Sequence, residues 1–196
     1  MTEHHFNFVE DYPKIKTIKE AKAWICTNDP DFKPDEVISF LPLKTCRQIL
    51  DFGCGVGRNL AVLLELKPYG IFGYDHPNMI ELAKQYLGLE NWNHVTWLKP
   101  PVQSILDFKF DLVISTLVFM HMRESDLLAA LPVIAHSLTE SGLMYVHCRS
   151  FTDDRKVLVW PLILKYFEPV KIFTLHVDLL KLEKYAEPKV LLRVRQ

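Results

Sequence analysis

The stretch that most constrains this chain is Ile49-Leu50-Asp51-Phe52-Gly53-Cys54-Gly55-Val56-Gly57-Arg58-Asn59-Leu60. An apolar run ends in an acid, three glycines follow at alternate positions, and a helical pattern begins at once. That order reads as a strand, a tight turn and a helix N-terminus. Glycine reaches positive φ at little steric cost and lets a ligand lie against bare backbone. The first N–H groups of the helix have no partner within it and face the same place. The stretch therefore reads as a nucleoside-cofactor loop, and its spacing decides between cofactors.

A dinucleotide fingerprint needs Gly-x-Gly-x-x-Gly. Counted from Gly53 the third glycine would fall on Arg58, and counted from Gly55 on Leu60. Both frames fail, which disfavours a nicotinamide dehydrogenase. The pattern present is an acid followed by Gly-x-Gly-x-Gly: Asp51, Gly53, Gly55 and Gly57.

Strand and helix patterns alternate around this loop. Helical spacing of Ile15, Ile18, Ala21, Trp24 and Ile25 predicts a helix from Lys14 to Ile25, stopped at Thr27-Asn28-Asp29-Pro30. A short helix follows from Pro34 to about Leu41, with Asp35 and Glu36 at its positive end. Strands are expected at Arg47–Phe52, Ile71–Asp75, Val95–Leu98, Phe110–Ser115 and Leu143–His147, the last entered by a turn at Ser141-Gly142. Helices are expected at Asn59–Leu66, Asn78–Leu87 and Glu124–Leu138, with a kink at Pro132. A helix over Asp153–Phe167, interrupted by Pro161, and strands at Val170–Val177 and Val190–Val194 complete the chain. The period is that of a doubly wound α/β domain. Neither a repeat nor a linker divides it, so residues 1–46 are expected to cap a single domain formed by residues 47–196.

Composition sets bounds on function. A hydrophobic fraction of 49%, a charged fraction of 24% and a net charge of −1 fit a soluble globular chain without a general pull toward nucleic acid or anionic membrane. Met1 to Tyr12 lacks the apolar core of a secretory signal, and the longest apolar run, Val157 to Leu164, is too short to span a bilayer. Cys26, Cys46, Cys54 and Cys148 have no metal-type spacing and read as thiols in a reducing compartment, so a cytoplasmic location without a metal centre is expected. The adjacent His4 and His5 read as solvated residues of a chain terminus. Cys54 reads as a small residue filling the turn, with a reactive thiol as the alternative.

With these motifs in order, the chain resembles the class I S-adenosylmethionine-dependent methyltransferases over roughly residues 45 to 150. Their first motif is matched by Asp51, Gly53, Gly55 and Gly57. The acid ending their second strand is matched by Asp75 in Gly73-Tyr74-Asp75-His76, and their fourth-strand motif by Phe110-Asp111-Leu112-Val113-Ile114-Ser115. The turn into their fifth strand is matched by Ser141-Gly142-Leu143-Met144-Tyr145-Val146. The resemblance implies a Rossmann-like, mostly parallel seven-stranded sheet with an antiparallel C-terminal strand and helices on both faces. It also implies adenosylmethionine as cofactor and adenosylhomocysteine as product.

The chemistry of that ligand suits the residues. Asp51 and neighbouring carbonyls can take its ammonium, while loop N–H groups and Arg58 can take its carboxylate. Asp75 can accept both ribose hydroxyls; the competing reading makes it the N-cap of the helix near Asn78. Cys54, His76, Met79, Gln103 and Thr116 complete the expected cofactor set. The family commonly has an acid after the third strand to bind the adenine amino group. Leu98-Lys99-Pro100-Pro101-Val102-Gln103 has none, leaving Gln103 or a carbonyl as substitute. Pro100-Pro101 lacks the flanking residues of the Asn/Asp-Pro-Pro-Tyr motif.

Methyl transfer is an in-line displacement that needs alignment and exclusion of water, and a base only where the acceptor loses a proton. Ligands of open α/β sheets lie beyond the carboxyl ends of the strands. Thr116 to His121 and His147 to Arg149 therefore face the reacting methyl. His121 and His147 are the candidate general bases. The alternatives are packing or cofactor contact for His121 and a loop hydrogen bond for His147. Arg149 reads either as a site for an anionic acceptor or as half of a surface ion pair. The absence of a large insert favours a small-molecule acceptor. A non-catalytic cofactor-binding relative is the second expectation, and a nucleic-acid methyltransferase, lacking a basic patch, the third. Monomer and homodimer are both compatible with the sequence.

Overall fold

The structure is a computed structural model. It describes residues 16–17, 19–20, 34–66, 70–152, 157–174 and 188–195. Seven strands form one sheet: β1 (Gln48–Phe52), β2 (Gly70–Tyr74), β3 (Val95–Leu98), β4 (Phe110–Thr116), β5 (Leu138–His147), β6 (Phe167–Ile172) and β7 (Lys189–Val194). Their order is β3-β2-β1-β4-β5-β7-β6. The central strands pair in parallel, and β7 runs antiparallel to both β5 and β6. The expected Rossmann-like architecture is what the chain adopts.

The helices are α1 (Arg58–Leu66), α2 (Pro77–Leu87), α3 (Leu89–Trp92), α4 (Glu124–Ser137) and α5 (Val159–Ile163). Strand alternation sends successive side chains to opposite faces. One face buries Ile49, Leu112, Ile114 and Tyr145 under Leu60 and Leu63 of α1 and under Val37, Ile38 and Leu41. The other buries Leu50, Val113, Met144 and Val146 against Leu127, Leu131 and Ile134 of α4 and Trp160 of α5. Full burial of one leucine such as Leu60 contributes about 2 kcal/mol. The strand order reverses direction between β1 and β4, which opens a crevice at their carboxyl ends.

Several boundaries differ from the sequence reading, each for a local reason. The N-terminal helix and its stop at 27–30 lie mostly outside the described residues. Thr17 and Glu20 do form a reciprocal capping box: Glu20 accepts from the N–H groups of Lys16 and Thr17, and the Thr17 hydroxyl accepts from the Glu20 N–H. The segment after Pro34 is a 3-10 turn, Glu36–Phe40, with Asp35 as its N-cap. β5 begins at Leu138 rather than Leu143, because the expected turn at Ser141-Gly142 is an irregularity within the strand. A Cβ at Gly142 would lie 2.8 Å from the Phe110 carbonyl oxygen, so the bulge needs glycine. Pro132 lies inside a continuous α4.

The helix expected from Asp153 to Phe167 is reduced to α5. Residues 153–156 lie outside the described residues. Thr152 N–H donates to the Val157 carbonyl, Val157 N–H donates to the Thr152 hydroxyl, and Val159 N–H donates to the Ser150 carbonyl. Those backbone groups are taken before a helix can use them. Pro161 sits in the first turn of α5, where its missing N–H costs no helical bond. β6 starts at Phe167, ahead of the expected Val170. It is an edge strand, and an edge tolerates Pro169. Residues 175–177 of the expected strand lie outside the described residues.

Candidate cofactor and acceptor site

The glycine loop leaves β1 with φ of 76° at Gly53, 56° at Gly55 and 86° at Gly57. These left-handed angles fold it back over the sheet. The N–H groups of Gly53 and Cys54 both donate to the Tyr74 carbonyl at the end of β2, at 2.8 and 3.1 Å. A Cβ on Gly53 would stand 2.4 Å from Cγ2 of Val118, so Val118 lies directly on the bare backbone. The sharp exit of β4 places it there: Leu117 has φ of 59°, and its N–H donates to the His147 carbonyl at 2.7 Å.

Asp51 is fully buried at the last-but-one position of β1. Its Oδ1 accepts from Nδ2 of Asn59 at 3.4 Å, while its Oδ2 is buried without a hydrogen-bond partner. Burial pushes its carboxyl up to about 7. The Asn59 hydrogen bond and the Arg58 charge oppose that shift, and the Asp75 charge adds to it. A lone oxygen of this kind is costly unless a donor arrives to meet it. A cationic N–H donor would satisfy it and ionise the group.

Asp75 follows β2 and is buried. Its Oδ2 accepts from the Gly55 N–H at 2.7 Å and its Oδ1 from its neighbour His76 N–H at 2.6 Å. The carboxylate thus ties the glycine loop to the second strand. It does not cap α2; His76 does, its Nδ1 accepting from the Asn78 N–H at 3.5 Å. The capping alternative for Asp75 is corrected accordingly.

Other expected residues fall in different places. Thr116 ends β4, and its hydroxyl accepts from Nδ2 of Asn59 at 2.8 Å, so it joins the Asp51 network. Cys54 is buried in the turn, and its thiol is pushed well above the ordinary range by burial and by the charges of Asp75 and Asp51. That suits a filler rather than a nucleophile. Arg58 opens α1. Met79 is fully buried within α2. Gln103 is exposed on a separate 3-10 turn, Val102–Ile105. His121 is half-buried at the end of the turn Phe119–His121.

His147 belongs to a cluster not legible in the sequence. Its Nδ1 lies 2.6 Å from Oδ2 of Asp35. The Tyr145 hydroxyl donates to the same oxygen at 3.1 Å. Oδ1 of Asp35 accepts from the Val37 N–H at 3.0 Å and lies 3.6 Å from Nζ of Lys189, which also reaches Glu36 at 3.1 Å. Burial pushes the Asp35 carboxyl upward. The hydrogen bond and charge of His147, with Val37 and Lys189, outweigh that and hold it at about 2. Asn59 joins the two halves: its Oδ1 accepts from the Asp35 N–H at 3.3 Å, and its Nδ2 serves Asp51 and Thr116. One signal for Asn59 was present, a polar residue on the Leu60/Leu63 core side of α1.

Among the described residues no group of three or more His, Cys, Asp or Glu side chains is placed to hold a metal ion. No helix among them is long and apolar enough to cross a membrane. The donor set instead fits an amino-acid nucleoside: a buried acid with an open oxygen, a bare glycine backbone and a second acid at the tip of the neighbouring strand.

Fold and donor set together define a Rossmann-like domain for S-adenosylmethionine. Residues 50–144 match the family model of a methyltransferase domain, and the chain belongs with the class I S-adenosylmethionine-dependent methyltransferases, with adenosylmethionine as its cofactor. Solved structures share the fold. A TehB-like SAM-dependent methyltransferase from Corynebacterium glutamicum superposes with a TM-score of 0.64 at 19% identity, covering 98% of each chain. The PH0226 protein from Pyrococcus horikoshii does so with a TM-score of 0.63 at 18% identity, covering 84% of this chain and 94% of that one. Human N-acetylserotonin methyltransferase, in complex with SAM, gives 0.57 at 17% identity; the match covers 80% of this chain and 50% of the human one. Among curated protein sequences none matches.

Proposed function

We propose that the chain transfers the methyl group of adenosylmethionine to a small-molecule acceptor in the cytoplasm, with residues 1–46 serving as a cap on the domain formed by residues 47–196. The observation that carries the cofactor side is the lone buried oxygen of Asp51 beside the glycine turn. Bound there, adenosylmethionine supplies an electrophilic methyl carbon on a positively charged sulfur. Asp51 takes the ammonium and becomes ionised as it does so. Arg58 and the N–H groups of the first turn of α1 take the carboxylate, since those of Gly53, Cys54, Gly55 and Gly57 are bonded within the protein. Asp75, its plane fixed by the N–H groups of Gly55 and His76, takes the ribose diol. Cys54, His76 and Met79 line the turn and the start of α2, and Gln103 or a nearby carbonyl serves the adenine edge.

Val118, seated on Gly53, walls the crevice and helps exclude water. Thr116, His121 and His147, at or beyond the ends of β4 and β5, border the acceptor. The compact element set favours a small acceptor. Human N-acetylserotonin methyltransferase, named for a small molecule, offers a precedent for the fold in that role. The missing acid after β3 supports the second reading, a binding protein without transfer. Incubating the chain with methyl-labelled adenosylmethionine and a cell extract tests the proposal. Label in the low-molecular-mass fraction is expected. Label confined to protein or nucleic acid contradicts the acceptor class, and cofactor binding with no transfer favours the second reading.

A further inference from the structure

Resting on the proposed contact between Asp51 and the ligand ammonium, we infer that Asn59 is a positioning residue. It aims the open oxygen of Asp51 and makes the site select for ligands that carry an α-amino group. Asn59 lies in the first turn of α1 and is buried, where an amide is costly unless each of its groups is met. Residues from three separate parts of the chain meet them.

The Asp35 N–H can only donate, and Oδ1 of Asn59 accepts from it at 3.3 Å. That contact determines which end of the amide points where. Nδ2 then carries two hydrogens toward two acceptors, the Thr116 hydroxyl oxygen at 2.8 Å and Oδ1 of Asp51 at 3.4 Å. Asp51 pairs with Ile114, and Thr116 lies two residues further along β4 on the same face. Asp35 is itself anchored through its carboxylate, which accepts from the Val37 N–H and the Tyr145 hydroxyl and lies 2.6 Å from Nδ1 of His147. A continuous line of contacts therefore runs from β5 through Asp35 and Asn59 to the acid of β1.

The consequence falls on Asp51. Asn59 occupies its Oδ1, and Oδ2 is the oxygen left without a partner. A donor held on one oxygen keeps the carboxyl from rotating and favours the ionised form that an ammonium needs. That donor is a neutral amide, so it brings no positive charge to compete with the ligand. A lysine or arginine in its place would neutralise Asp51 from within the protein. A ligand that lacks only the amine would leave Oδ2 buried and unmet, and a site of that kind discriminates strongly against it.

The test uses the full chain and two ligands in calorimetry. One is adenosylhomocysteine, and the other its deamino analogue, in which hydrogen replaces the amino group and the carboxylate is kept. The wild type should bind the first about 10- to 100-fold more tightly. Asn59→Leu is close in volume but has no donor. Asn59→Asp keeps an acceptor for the Asp35 N–H and turns a carboxylate toward Asp51. Each should weaken adenosylhomocysteine about tenfold or more and the analogue by no more than about threefold, so that the preference collapses. A second measurement needs no variant to fold: the side-chain amide signal of Asn59 in the labelled wild type should shift further with adenosylhomocysteine than with the analogue. Equal losses for both ligands in the variants, no loss for either, or an amide signal that responds alike to both overturns the inference and leaves Asn59 a packing residue. Equal affinity of the wild type for the two ligands refutes the Asp51–ammonium contact itself, and the inference with it.

Discussion

With Asp51 as the proposed partner of the ligand ammonium, the pH dependence of cofactor binding follows from its titration. In the free protein its carboxyl is raised from an ordinary value of 3.8 to about 7, chiefly by burial, with one oxygen unpartnered. A ligand ammonium docked on that oxygen requires the ionised form. Binding therefore releases a proton below about pH 7, and affinity falls about tenfold between pH 8 and pH 6. The rise itself corresponds to roughly 4 kcal/mol. The sign for stability follows: an acid raised in the folded state destabilises the fold as pH climbs from about 4 to about 7, and the loss is complete above that. The assay is calorimetry with adenosylhomocysteine from pH 6 to pH 8, in buffers of different ionisation enthalpy so that protons are counted. Asp51→Asn should bind weakly with no such slope, and its stability should not decline over the same range. Affinity independent of pH in the wild type, or an equal slope in the variant, would refute the reasoning.

Other consequences are simpler to measure. Gly53→Ala forces a Cβ to 2.4 Å from stiff Val118 at a φ of 76°, so thermal or denaturant unfolding should show a loss of about 2–4 kcal/mol, partly restored by adding Val118→Ala. Asp35 has a depressed folded value of about 2, so its stabilisation is complete above about pH 4 and lost as pH falls through 2; acid titration should show about 2 kcal/mol lost there, and Asp35→Asn should lack that step. Asp75→Asn replaces an acceptor-only carboxylate facing the N–H groups of Gly55 and His76 with an amide, and should weaken adenosylhomocysteine binding about tenfold or more in calorimetry.

The legible part of this molecule was whatever depends on local spacing. The glycine turn, the acid ending β1, the acid after β2 and the apolar run of β4 each obey a short-range rule, and together they determined fold and cofactor. What escaped depends on particular hydrogen bonds rather than on spacing. Asp35 looked like a helix-start acid, and it is an N-cap, but its second oxygen meets His147, 112 residues away. The Asp153–Phe167 segment has helical composition, yet Ser150 and Thr152 capture the backbone groups of Val157 and Val159 first. His76 rather than Asp75 caps α2 because the loop claims the Asp75 carboxylate through Gly55. At Asp35 a distant partner was added to a local cap, at Asp75 a bond to the loop replaced one, and after Ser150 a short-range turn displaced the start of a helix.

The central claim, that the glycine turn and the two acids hold the cofactor, is tested most directly by an amide spectrum of the labelled chain titrated with adenosylhomocysteine. The N–H signals of Gly53, Gly55, Gly57, Asp75 and His76 should shift together and saturate at one stoichiometric equivalent. Saturable shifts confined to other parts of the sheet, or no shifts at all, would contradict it.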